Sequence, residues 1–133
     1  MNGRHIAERW VDAYNRHDID AMIDIYDDDI VNEQMPWGKT VRGRVAMRGV
    51  FLNVFQAFPD IKLKVINVIE TQQYIALEWR FDGTMKGSFA GHLPNNRSFT
   101  MRGCEIFRIE NGKIREQRGY WDKATMFDQL ELQ

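Results

Sequence analysis

Two carboxylates stand where they could do chemistry. Between Phe99 and Ile109 the odd-numbered residues are Phe99, Met101, Gly103, Glu105, Phe107 and Ile109, while the even-numbered ones include Arg102 and Arg108. Successive side chains of a strand point to opposite faces, so Glu105 falls in the middle of an apolar face. A charge buried there must be paired, hydrogen-bonded or protonated. Burial also raises a carboxyl pKa toward neutrality, which suits general acid/base work. A structural alternative pairs Glu105 with Arg118 across a hairpin. The second carboxylate, Asp122, follows Gly119-Tyr120-Trp121. There it either opens into a pocket mouth between aromatics or caps a following helix. If the two carboxyls approach each other, one stays protonated as acid while the other serves as base.

Other candidates surround this pair. Trp10, Tyr14, Trp37 and Trp79 form either the aromatic wall of a cavity or ordinary core, with Trp37 beside Gly38 best placed to touch a ligand. His92 lies in a Gly-containing loop and could guard an entrance, while Arg118 and Tyr120 would orient or stabilise the carboxyls. His5, His17 and His92 lack metal-ligand spacing. Asp27-Asp28-Asp29 lacks the alternation of a calcium loop. Gly83, Gly87 and Gly91 do not open a helix after a strand, so no phosphate loop is expected. Neither a metal nor a cofactor is expected.

These residues need elements to hold them. Ile6, Trp10 and Tyr14, with Ala7 and Val11 beside them, make one stripe of an amphipathic helix over Gly3–Arg16. Asp18 is the expected N-cap of a second helix carrying Ile19, Met22, Ile23 and Tyr26, ended by the Asp27–Asp29 run. Ile30–Gln34 reads as a short strand and Pro36-Trp37-Gly38 as a loop. A third helix spans about Val45 to Phe58, stopped by Pro59. The period then changes to two. Strands are expected over Ile61–Ile69 and Tyr74–Phe81, then a loop over Asp82–Arg97 with a short strand at Ser88-Phe89. Phe99–Ile109 and Lys113–Trp121 follow as a hairpin across Asn111-Gly112. Asp122–Leu130 closes the chain as a helix or turn. Helices first and antiparallel strands after them predict an α+β fold, a curved sheet with helices on one face.

Composition bounds the rest. The chain has 133 residues, enough for a single domain over 1–133 with a core and one internal cavity. Lys+Arg 18 against Asp+Glu 19 gives a formal charge of -1 and no basic excess, which argues against nucleic acid as partner. Arg4, His5, Glu8 and Arg9 interrupt any apolar run of a signal peptide, and no stretch approaches a membrane span. Cys104 is the single cysteine, so no intrachain disulfide forms and a reducing, cytoplasmic setting is expected.

Several stretches, in order, carry a family resemblance: Ala57-Phe58-Pro59-Asp60, Phe81-Asp82-Gly83-Thr84 leading into Gly87, Gly91 to Pro94, Ile106 through Ile114, Tyr120-Trp121-Asp122, and Gln129-Leu130. In these the chain resembles the SnoaL-like polyketide cyclases of the nuclear-transport-factor-2-like superfamily. The resemblance implies a cone-shaped, cystatin-like fold with one deep apolar pocket. It also implies that Asp122 is the general acid/base of an intramolecular aldol ring closure, and that Glu105 lies near the hydrogen-bonding carboxylic acid of the steroid isomerases. The pattern departs elsewhere. Met85 and Phe107 stand where histidines are common, Gln34 where the isomerases place their base, and Trp10 where they place a tyrosine donor. The expected function is a cofactor-independent enzyme acting on a small apolar oxygenated ligand. An epoxide hydrolase-, dehydratase- or isomerase-like activity is one alternative, and a non-catalytic ligand-binding or assembly domain is another. A convex sheet face rich in large apolar residues predicts a homodimer, or a tetramer built from it.

Overall fold

The computed structural model describes residues 3–133. Helix α1 (Gly3–Asn15) buries Ile6, Ala7, Trp10 and Tyr14 of the expected stripe and Ala13 with them, while Val11 is half-buried. Asn15 fastens the end of α1 to the sheet by donating to the Leu63 carbonyl (2.9 Å) and accepting from the Leu63 N–H (2.7 Å). Asp18 caps α2 (Ile19–Asp24), accepting from the Ala21 N–H. Helix α3 (Arg44–Ala57) presents Met47, Phe51 and Phe55 inward and ends where Pro59 forbids continuation. The last helix, α4 (Lys123–Leu130), closes one end with Met126 and Leu130.

Six strands form one sheet in the order β2-β1-β6-β5-β4-β3. They are β1 (Tyr26–Gln34), β2 (Lys39–Arg42), β3 (Lys62–Glu70), β4 (Tyr74–Thr84), β5 (Ser98–Glu110) and β6 (Lys113–Trp121). Alternation along β4 and β5 buries Ile75, Leu77, Trp79, Phe81, Phe99, Met101, Glu105 and Phe107 on the concave face, against α1 and α3. This is the α+β layout, helices on one face of a curved sheet, that the order of periodicities predicts, and the cone that the family resemblance implies. Among the described residues, no helix is long and apolar enough to cross a membrane.

The structure corrects the reading in several places. Tyr26 opens β1 instead of ending α2, and the acidic run Asp27–Asp29 lies in the strand, where Arg44 pairs with Asp28 at 3.1 Å. Strand β2 follows a turn at Gly38, which adopts φ +65 and so suits glycine. The pair β1–β6 is parallel within an otherwise antiparallel sheet. Strand β4 continues to Thr84, held by Asp60, which accepts from the Thr84 N–H and hydroxyl. The expected strand at Ser88-Phe89 is reduced to one bridge, Phe89 to His92.

Candidate active site

Glu105 is 4% exposed and makes no ion pair among the described residues; its partners are neutral N–H groups. The amides of Gln34 (2.9 Å) and Gln117 (2.7 Å) donate to one carboxyl oxygen, Oε1, and the indole of Trp79 (3.0 Å) donates to the other, Oε2. Each amide is oriented from behind. Trp10 donates its indole N–H to the Tyr26 hydroxyl (2.8 Å), which donates to Gln117 Oε1 (2.6 Å). Trp121 donates to Gln34 Oε1 (2.9 Å), and the Gln34 amide also donates to Asn32 (2.8 Å). An indole N–H can only donate. The indoles of Trp10 and Trp121 therefore fix which way the two glutamine amides face, and together with the indole of Trp79 they leave three donors aimed at Glu105.

Burial pushes the Glu105 carboxyl up to about 7, against the pull of the bonds from Gln117, Gln34 and Trp79, which favour the ionised form. The same burial raises Tyr26 well above the usual phenol range, so its hydroxyl stays a donor. A titratable carboxylate in a dry, hydrogen-bonded site can accept a proton from a substrate near neutral pH and return it.

The carboxylate faces a cavity of about 140 Å³ between α1, α3 and the concave sheet. Trp10, Tyr14, Gln34, Trp37 and Trp79, all expected at the site, line it with Glu105. Trp37 stands at the mouth, packed edge-on against Phe89, Trp121 and Phe127, with the Lys123 ammonium 4.8 Å from its ring centre. Among the described residues, no three His, Cys, Asp or Glu side chains come together to hold a metal.

Other expected residues lie elsewhere. Asp122 is exposed and caps α4, accepting from the Thr125 N–H (3.0 Å) and hydroxyl (2.6 Å), which hold its carboxyl below the usual range. It borders a shallow trough on the convex face with Tyr120. Asp122 and Glu105 are thus not brought together, because the helix N-terminus takes the Asp122 side chain. Arg118 and Tyr120 lie on the convex side, opposite Gln117, and Glu105 meets Gln117 in place of the Arg118 of the structural alternative. Phe107 is fully buried behind the wall, its ring 5.3 Å from that of Trp10. His92 is half-buried in the loop and pairs through its backbone with Phe89.

Asn32, Gln117 and Trp121 line the site without having been read from the sequence. A bulge explains Gln117. Arg108 and Ile109 pair with Glu116 and Ile114, leaving Arg115 as an extra residue that reverses the alternation of β6. Counting back from Trp121 instead of forward from Ile114 would have placed Gln117 and Gly119 inward.

Solved structures share this architecture. IdmH, a proposed polyketide cyclase from Streptomyces antibioticus, is 24% identical with a TM-score of 0.85, covering 99% of this chain and 100% of that one. AclR, a proposed hydroxylase from Streptomyces galilaeus, is 23% identical with a TM-score of 0.85, covering 96% and 80%. A protein with a ketosteroid isomerase-like fold from Catenulispora acidiphila DSM 44928, in complex with trimethylamine, is 15% identical with a TM-score of 0.84, covering 99% and 96%. At these identities they show the fold. No curated protein matches the chain by sequence. The family model described as SnoaL-like polyketide cyclase matches residues 4–130, which takes in α1, every strand and α4. A match of that extent decides kinship as well as shape: the chain belongs to the SnoaL-like polyketide cyclase family.

Proposed function

We propose that the chain is a cofactor-independent enzyme in which Glu105 is the general acid/base for proton transfer at an apolar, carbonyl-bearing substrate, the kind of step that opens a polyketide-cyclase-type aldol ring closure. The observation that carries this reading is a carboxylate buried without a cation, held by neutral donors and facing an aromatic cavity. Glu105 takes a proton from the carbon beside a carbonyl, the resulting enolate attacks a second carbonyl, and the proton returns to the new alkoxide. Gln34, Gln117 and Trp79 keep the carboxylate in place and partly ionised near neutral pH. The acid/base pair anticipated with Asp122 becomes a single carboxylate, since Asp122 serves α4. The enzyme is taken to be a cytoplasmic homodimer, a reading supported by its lone cysteine and by the apolar residues of the convex face.

Carbon-13 NMR titration of the Glu105 carboxyl, assigned with Glu105→Gln, tests the reading. The expected apparent pKa is about 7. A value near about 4, that of a solvated carboxyl, would overturn it in favour of a ligand-binding or assembly domain. Epoxide-opening and dehydration use the same carboxylate and are separated from carbon deprotonation by the products formed.

A further inference from the structure

One polar group in the cavity stands outside the Glu105 network. Tyr14 is 5% exposed, and its ring is fixed by Phe81 (5.0 Å), Phe55 (5.2 Å) and Trp10 (5.3 Å). No hydrogen bond joins its hydroxyl to another described residue, whereas Tyr26 nearby both accepts and donates. Yet no sealed side-chain nitrogen or oxygen among the described residues lacks a partner. The Tyr14 hydroxyl is therefore not sealed: it opens on the cavity that Tyr14 lines. Burial, and then the charge of Glu105, raise its pKa, so it remains a protonated donor within the electrostatic reach of that carboxylate.

The other interior donors are engaged. The indoles of Trp10, Trp79 and Trp121 and the amides of Gln34 and Gln117 have oxygen partners, and the Asn32 amide points at the Met47 sulfur (3.5 Å). The Trp37 indole is half-exposed at the mouth. A ligand oxygen entering the interior thus meets Tyr14. Size sets a second constraint, because a cavity of about 140 Å³ is close to the roughly 150 Å³ that holds one benzene. One six-membered ring fills that space, and a fused polycyclic skeleton would have to extend beyond it through the mouth.

We propose that the site takes a ketone about one six-membered ring in size, its carbonyl oxygen accepting a hydrogen bond from Tyr14 and its adjacent C–H facing Glu105. This rests on the acid/base reading of Glu105 and adds to it a substrate size and a second catalytic residue. The Glu105 carboxylate takes the proton, the C–H electron pair becomes the C=C bond, and the carbonyl π pair moves onto oxygen. That oxygen, now an enolate, holds the Tyr14 hydrogen bond more strongly, which is what makes the donor catalytic. In a ligand with a single carbonyl, return of a proton from Glu105 to carbon closes the cycle with no other reactant, whereas a second carbonyl in the same ligand would take the enolate into the ring closure proposed above.

Cyclohexanone labelled with carbon-13 at the carbonyl is the probe, in deuterated water, with wild type, Tyr14→Phe and Glu105→Gln. In wild type the carbonyl resonance should move downfield on binding and the adjacent hydrogens should exchange for deuterium. Glu105→Gln should keep the carbonyl shift and lose exchange. Tyr14→Phe should lose the shift and exchange about a hundredfold more slowly, the scale of removing one such donor. In wild type labelled with carbon-13 at tyrosine Cζ, the Tyr14 resonance should respond to the ketone and that of Tyr26 should not. This second readout needs no variant to fold. The proposal is overturned if cyclohexanone does not bind, if the carbonyl shift survives in Tyr14→Phe, or if the two-ring ketone 1-tetralone binds more tightly. Binding through Tyr14 without exchange in wild type would overturn the acid/base reading while supporting the Tyr14 contact.

Discussion

The Glu105 side chain is balanced between two opposed effects, and pH moves the balance. Burial disfavours its charge and the donated hydrogen bonds favour it, leaving the folded carboxyl at about 7 against an ordinary 4.5. The folded state therefore binds this proton more tightly than the unfolded state. The stabilisation from it is complete below the unfolded value and is lost as pH rises from about 4.5 to about 7. Integrated over that window, the change is roughly 3 kcal/mol. Urea unfolding of wild type and Glu105→Gln at pH 4.5 and 7.5 isolates it, with wild type losing about that much relative to the variant. A constant difference between the two proteins would mean that Glu105 is not desolvated. The variant carries its own cost at every pH. Its single amide oxygen can serve Gln34 and Gln117, but its NH₂ then faces the Trp79 N–H, so a buried donor goes unpaired, a defect of about 1–3 kcal/mol.

Strands β5 and β6 position that side chain through two glycines as much as through side chains. A Cβ at Gly103 would come within 2.5 Å of the Trp79 ring and 2.7 Å of the Trp121 Cβ; one at Gly119 would lie 2.0 Å from Gln34 Oε1. Gly119→Ala should therefore push the Gln34 amide from its slot and remove one of the donors that lower the Glu105 pKa. The carbon-13 titration should then give a value above wild type, and an unchanged value would show that Gln34 has no part in tuning Glu105. At the end of the same strand, Asp122→Ala should lower the melting temperature by a few degrees through loss of the α4 cap, while Asp122→Asn keeps the cap and cyclohexanone exchange together. Loss of exchange in the asparagine variant would restore Asp122 as the acid/base. These elements also show what was legible from sequence. Period-two alternation is undisturbed in β5, so Glu105 could be assigned to the concave face from its neighbours alone. In β6 one extra residue, Arg115, reversed the phase, hid Gln117 and made Arg118 and Tyr120 look inward. Asp122 was ambiguous for a different reason: a pocket carboxylate and an N-cap have the same local signature, and the hydrogen bonds to Thr125 separate them only in three dimensions. Strand β2 and the parallel β1–β6 pairing depend on long-range register, which local pattern does not encode.

At the scale of the whole molecule, the curved sheet divides the protein into a concave face that holds the site and a convex face that it leaves open. The convex trough is bordered by Ile69 on β3, Ala76 on β4, Cys104 on β5 and Tyr120 on β6, with Ile69 60% and Tyr120 45% exposed. Beside this strip Arg102 pairs with Glu78 at 2.9 Å. A two-fold axis through the trough would set apolar strip on apolar strip and bring each arginine–glutamate pair near its symmetry mate with both signs available, the self-complementarity an isologous contact needs. A stable interface of this kind buries about 800 Å² per partner. Sedimentation equilibrium should find wild type as a dimer and Ile69→Asp/Tyr120→Asp as a monomer, because a carboxylate from each copy would then face its counterpart across a desolvated contact. Both substituted positions lie on the face opposite Glu105, so the Glu105 titration should be the same in the two proteins. A wild-type monomer would remove the convex face as an interface. A monomeric variant with an altered Glu105 pKa would mean instead that the dimer helps to close the cavity, through the indole of Trp121, which borders the trough on one side and holds Gln34 on the other.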